Sequence, residues 1–465
     1  MVTTNLNPPA EVPFFTPRHT QSPGTPVELT DKTPTLFTPL KIRNVTLRNR
    51  IVVSPMCQYS VAPTGPQIGQ LNDFHIATLG HYALKGAGLV FIEATSVQPN
   101  GRITPNCPGL WEDAQIAPVK RVVDFVHSQG AVCGIQLGHA GRKASTAAPW
   151  IASQYRRERG WGSGSVRSTA DVGGWPENVV GPMGGVEETW DGLGLEDERG
   201  GFFPPRALST AEIRELVEDF GKSARRAVEA GVDLIEIHAA HGYLLHQFLS
   251  PVTNRRTDEY GGTFGGRTRV VREIIQEVRR NIPADMPLFF RASCTEWLEG
   301  TEVEKAFGGS WDLDSTIRLA KELPDLGVDL LDVSSGGNHK DQKTDLFKQK
   351  DYQVSRAARI RRELIKADKR LLIGAVGLIT EAEDAKDIVQ ERVNGASATS
   401  DEGVIDKEAK AAQYMVEGSD GYEPMADLVL VARQFLREPE WVLRVAWKLG
   451  VDVAWPSQFL RVRLQ

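Results

Sequence analysis

His238-Ala-Ala-His241-Gly-Tyr243 puts two imidazoles and a phenol within six residues. If the chain turns into a helix there, His238 and His241 are neighbours at i,i+3 with Tyr243 close by. Such a set can donate hydrogen bonds to an oxyanion and deliver a proton. A metal site would need a third ligand from His75, His81 or His139, and no H-E-x-x-H or Cys/His cluster is present. Gly374-Ala-Val-Gly377 and Val431-Ala-Arg433 combine glycines, which let backbone N–H groups approach an anion, with a guanidinium. Gln136 stands near His139, Arg142 and Lys143, and its amide can read the edge of a heterocycle. Arg291 can neutralise a developing anion. Cys57, after Pro55-Met56, is either a small buried hydrophobe or a thiol that tunes a cofactor or attacks a substrate.

What must position these residues is a set of eight short runs rich in Val, Ile and Leu: 49–56, 87–95, 131–139, 232–240, 287–294, 328–335, 371–377 and 427–433. Each suits a strand buried on both faces, and helix-compatible stretches separate them. Eight β-then-α units predict an α/β fold, a (β/α)₈ barrel, whose active site lies where the strands end. That face collects Cys57, Thr95, Gln136, His139, His238, His241, Arg291, Gly374, Gly377 and Arg433. Loops after strands seven and eight usually bind phosphate in this fold, which implies a phosphorylated ligand. Residues 36–50 read as an N-terminal hairpin closing the barrel floor. Ser209 or Thr210 caps a helix that Gly231 stops, residues 407–418 read as a helix, and 260–267 as the turn that starts another. Two strand-end insertions, 144–208 and 394–426, interrupt the rhythm; the first, rich in Gly, Trp, Arg and Asp, suits either a lid or a surface contact.

The predicted organisation is a disordered tail over 1–34, the barrel over 35–448 and a C-terminal segment over 449–465. A net charge of −6 argues against a nucleic-acid surface, and no apolar stretch approaches roughly 18 residues, so no membrane span is expected. Four scattered cysteines, without zinc-like spacing, suit a reduced cytoplasmic compartment.

The motifs LFTPLKIRNVTLRNRIVVSPMCQYS, EATSVQPNGRITPN, GIQLGHAGRKAS, EIHAAHGYLLHQFLSPVTNRRTDEYGG, GVDLLDVSSGG and GAVGLIT resemble the old yellow enzyme family of flavin-dependent ene-reductases over most of 35–462. Cys57 with Tyr59 resembles its bacterial, "thermophilic-like" branch. The resemblance implies non-covalent FMN, with NADPH or NADH as reductant and an activated alkene as substrate. It implies that Pro55, Met56, Cys57 and Ala94 line the flavin, Gln136 and Arg291 hold its ring edges, and Gly374, Gly377 and Arg433 hold its phosphate. It further implies that His238 and His241, joined by Tyr59, bind the substrate carbonyl, that Tyr243 donates a proton, and that Cys57 tunes the flavin. Arg461 would reach a neighbouring subunit's site in a homodimer. Two positions depart from the family pattern. Ala432 stands where a glycine usually precedes the phosphate arginine, and Gly266 where an asparagine is common. The competing readings are a flavin dehydrogenase or oxidase of another small molecule, and a flavin-free lyase or aldolase. No lysine ends a proposed strand, which counts against the last.

Overall fold

The computed structural model describes residues 19–390 and 424–463. All eight apolar runs form strands: β1 (Ile51–Val53), β2 (Leu89–Ser96), β3 (Val132–Gly138), β4 (Leu234–Ala239), β5 (Leu288–Ser293), β6 (Leu330–Ser334), β7 (Leu372–Val376) and β8 (Leu428–Val431). They pair in parallel in sequence order, and β8 returns to β1 to close the barrel. Parallel pairing requires crossovers, and seven helices provide them: α1 (Asp73–Leu84), α2 (Ile116–Ser128), α3 (Thr210–Glu229), α4 (Phe264–Asn281), α5 (Leu313–Ala320), α6 (Val354–Lys366) and α7 (Ala382–Val389); α8 (Trp441–Lys448) follows β8.

The continuous apolar character of the strands follows from burial on both faces. Inward residues, among them Val52, Phe91, Leu234, Phe289, Leu330 and Leu430, form one cluster inside the barrel. Outward residues such as Ile92, Ile135, Ile235 and Phe290 join the larger core under the helices. The hairpin of Leu40–Ile42 and Val45–Leu47 closes the floor by adding Ile42, Val45 and Leu47 to the inner cluster.

Helix ends follow local chemistry. Ser209 and Glu212 form a capping box at α3, and Gly231 takes a positive φ of 86° just beyond it. Thr263 caps α4, so 260–267 is the turn that starts a helix. At Gly266 a Cβ would overlap the Gly261 carbonyl oxygen in this turn.

The expected tail is corrected in part. Residues 22–26 pack against the barrel, while 27–32 are exposed: Pro26 bridges Val453, and Asn49 donates to the Gly24 carbonyl at 3.1 Å. Residues 1–18, and nearly all of the 394–426 insertion with its expected helix, lie outside the described residues. The 144–208 insertion folds over the barrel mouth as a helix (Pro149–Glu158), short 3₁₀ turns and a two-residue strand pair of Val180–Gly181 with Arg206–Ala207. Among the described residues, no helix is long and apolar enough to cross a membrane.

Candidate active site

β4 ends in the histidine–tyrosine set. His241 and Gly242 both take left-handed backbone, φ 59° and 71°, which folds the chain back so that Tyr243 returns to the mouth. The His238 ring then lies 5.3 Å from that of His241 and 5.1 Å from that of Tyr243, edge-on to each. The turn is held from outside: the His241 amide donates to Ser293 Oγ at 2.8 Å, and Ser293 donates to the Gly336 carbonyl at 2.8 Å. His238 Nδ1 accepts the Ala240 amide at 3.3 Å, which leaves the proton of the neutral ring on Nε2. Burial and the nearby Arg291 push both imidazoles well below their ordinary value, so they are neutral donors. Burial pushes the Tyr243 phenol well above its ordinary value and keeps it protonated.

The loop after β1 supplies the opposite wall. Pro55, Met56, Cys57 and Tyr59 are half-buried there, beside Ala94, the one partly exposed residue of β2. The Cys57 thiol touches Tyr59 and is driven up by burial, so it is not a thiolate nucleophile. Tyr59 also sits in left-handed backbone, at φ 50°. The carboxylate of Glu93 braces this loop, accepting the Gln58 amide at 2.9 Å, and its other oxygen lies 3.7 Å from His75 of α1. Burial raises Glu93 to about 8.

Below the mouth, the barrel interior carries a polar layer. Gln136 donates to Glu236 at 2.7 Å. Arg291 donates to Ser334 at 2.8 Å and Ser54 at 3.3 Å, and lies 3.1 Å from Asp332. Burial raises both the Glu236 and Asp332 carboxyls, and Arg291 opposes the rise. At the far side, Gly377 takes φ 117°, and a Cβ there would meet Gln353 Nε2 at 2.8 Å. Arg433 opens the short helix Arg433–Arg437 and is exposed. Burial raises the Tyr352 phenol, and Arg433 and Arg291 both oppose the rise.

Gly374 is corrected. It faces the barrel interior level with Asp332, where a Cβ would overlap Leu430, so it serves packing and not a phosphate. Thr95 and His139 are buried, and His139 accepts the Gly141 amide at 3.0 Å as a structural residue. Arg461 lies exposed in the C-terminal 3₁₀ helix Ser457–Val462, and no described contact ties it to site residues of its own chain. Among the described residues, no group of three His, Cys, Asp or Glu side chains is placed to hold a metal.

The sequence reading gave no role to two groups. Lys143 is brought to the mouth by the turn after β3. Its Nζ donates to the His241 and Gly337 carbonyls at 2.9 and 3.1 Å and lies 5.2 Å from the centre of the Tyr243 ring. Burial, with the neighbouring Arg142 charge, lowers its amine to about 7. The second is the trio Glu93, Glu236 and Asp332. Its signal was available: each is the single carboxylate of a mostly apolar strand.

The residues present suit a flavin mononucleotide. A half-buried apolar and thiol wall, a buried amide and guanidinium, and a left-handed glycine with an exposed arginine match a ring with polar edges and a phosphate.

Comparison with known proteins agrees with this chemistry. The model of the NADH:flavin oxidoreductase / NADH oxidase family matches residues 35–395. An NADH:flavin oxidoreductase of Gibberella zeae is 42% identical over 96% of this chain and 92% of its own length. An NADPH dehydrogenase of Bacillus subtilis is 34% identical over 92% of this chain and 98% of its own. The solved structure of morphinone reductase superposes with a TM-score of 0.60 at 25% identity, covering 92% of this chain and 93% of that one. The old yellow enzyme homologue of Zymomonas mobilis shares the fold, with a TM-score of 0.59 at 22% identity over 93% of this chain and 100% of its own.

Proposed function

The chain belongs to the NADH:flavin oxidoreductase / NADH oxidase family of FMN-binding, nicotinamide-dependent enzymes, and we propose that within it the protein is an ene-reductase acting on α,β-unsaturated carbonyl compounds. The observation that carries the reading is the convergence of two neutral imidazoles and one protonated phenol on a single mouth.

FMN, when bound, supplies the hydride that NADPH or NADH has delivered. Pro55, Met56, Cys57 and Ala94 would line its ring, Gln136 and Arg291 would hold the ring's polar edges, and Gly377 with Arg433 would hold its phosphate. His238 donates from Nε2 to the substrate carbonyl oxygen, and His241 donates beside it. These bonds draw electron density from the alkene and strengthen as negative charge gathers on that oxygen. Tyr59, across the mouth, limits how the carbonyl sits. Tyr243 gives its phenolic proton to the α carbon while the β carbon receives the hydride, so the double bond gains one hydride and one proton. Lys143 in its protonated form, beside the Tyr243 ring, steadies the phenolate until solvent returns the proton. Arg461, exposed at the C-terminal end, would complete a neighbouring copy's mouth.

An absorption spectrum followed by anaerobic NADPH and then 2-cyclohexenone tests this. A flavin band that bleaches and recovers on adding the enone is expected; a preparation that takes up no FMN defeats the reading. Tyr243→Phe should keep its rate of flavin reduction and lose about 10²–10⁴-fold in reoxidation by the enone. An unchanged reoxidation rate removes Tyr243 from its role.

A further inference from the structure

A cavity of about 500 Å³ starts between Tyr59 and Tyr243 and ends against the 144–208 insertion. Lys143, Arg156 and Arg157 line it, and no Asp or Glu does, in a chain whose net charge is −6. The charges are not compensated locally. Lys143 donates to the carbonyls of His241 and Gly337, and Arg156 to those of Gly162, Ser165 and Arg199, all neutral acceptors. Arg157 is exposed, with no carboxylate partner among the described residues. Between these cations the wall is small and polar, formed by the Gly162–Ser165 turn. A concave wall of one sign concentrates ligands of the other.

The volume decides what part of a ligand this wall meets. His238 does not line the cavity, so a six-carbon enone held there by its carbonyl reaches only the Tyr59–Tyr243 end of a space typical of drug-sized ligands. The remainder extends towards Arg157, whose planar fork suits a carboxylate or phosphate.

We propose that the insertion makes this cavity an anion subsite, so that the preferred alkenes carry a carboxylate or phosphate at the end remote from the reacting carbons, bound by Arg157. The proposal rests on the ene-reductase reading and narrows its substrate class. The test compares kcat/KM for 7-oxooct-5-enoate, whose carboxylate is insulated from the enone by three methylenes, and its methyl ester, with the holoenzyme, at low and high salt. The acid should be favoured roughly ten- to hundredfold at low salt, the range of a charge-assisted hydrogen bond, and less at high salt. Arg157→Gln should cut that ratio about tenfold. Arg157→Glu should reverse it in favour of an enone bearing a trimethylammonium group. A ratio near one, or a ratio that Arg157→Gln leaves unchanged, overturns the proposal. So does a raised KM for NADPH in Arg157→Gln with the ratio intact, since the charge then serves the nucleotide's phosphates. If neither enone reoxidises a flavin that NADPH has reduced, the ene-reductase reading itself fails, and this proposal with it.

Discussion

Inside the barrel, Phe91, Phe289, Leu330 and Leu430 pack with no exposed surface. Over the mouth, the 144–208 insertion has a far smaller core, in which Ala144, Val179 and Phe203 pack with Ala140 of the preceding turn, and leaves Trp150, Ile151 and Leu195 about half exposed. Its turns are held instead by guanidinium groups. Arg167 alone donates to the carbonyls of Leu193, Gly194, Asp197 and Phe202, and Arg142 to those of Glu188 and Asn338. An irregular segment cannot pair its carbonyls in a ladder, so side-chain donors must do it. The difference separates two duties. The strands hold the side chains of the mouth in fixed register, and the insertion lies over them. Tyr243 joins the two, with its ring against His238 on one side and the insertion's small core on the other.

The comparison can be broken most forcefully from below. Phe289→Ala empties space inside a closed ring, and should lower global stability by about 3–5 kcal/mol in denaturant melts. A loss confined to the floor hairpin would mean that the interior is not one unit. Next in size, Arg167→Met strips four carbonyls of their donor. Amide exchange across 190–203 should accelerate by the equivalent of about 1–3 kcal/mol, while β1–β8 keep their protection. Equal loosening of the strands would show that insertion and barrel open together. The smallest effect lies in the shell, where His127 of α2 meets Asp233 ahead of β4 at 2.7 Å. The Asp233 hydrogen bond raises the His127 pKa in the folded state. The pair therefore stabilises fully below the unfolded value near 6.5 and loses its contribution as pH rises through the higher folded value. The Tm advantage of the wild type over His127→Gln should shrink from pH 6 to pH 8. Both side chains are partly exposed, so the contribution is about 1 kcal/mol or less.

The strands were legible because burial on both faces leaves an unbroken apolar run, and the run's end locates the mouth. His238, His241 and Tyr243 followed from that alone. Gly374 misled because a glycine near a strand end resembles a phosphate turn; its parity with Leu372 and Val376 marks it as inward instead. Lys143 was overlooked because it lies past the end of β3, in a turn whose direction depends on tertiary contacts. The insertion offered no period to read, since bonds from arginine to carbonyl leave no spacing in the sequence.

β2 pairs with β3 through an irregularity between Ile92 and Ala94. Phe91 faces the barrel interior, so unbroken alternation would next send Glu93 inward, to the level of Gln136. The extra residue resets the count: Ala94 takes the place beside Gln136, and Glu93 turns out to meet His75 and the Gln58 amide. A one-residue offset thus works like a frameshift written in the backbone. It keeps an acid out of the barrel interior beside Gln136 and uses that acid as the peg on which the Cys57–Tyr59 loop hangs.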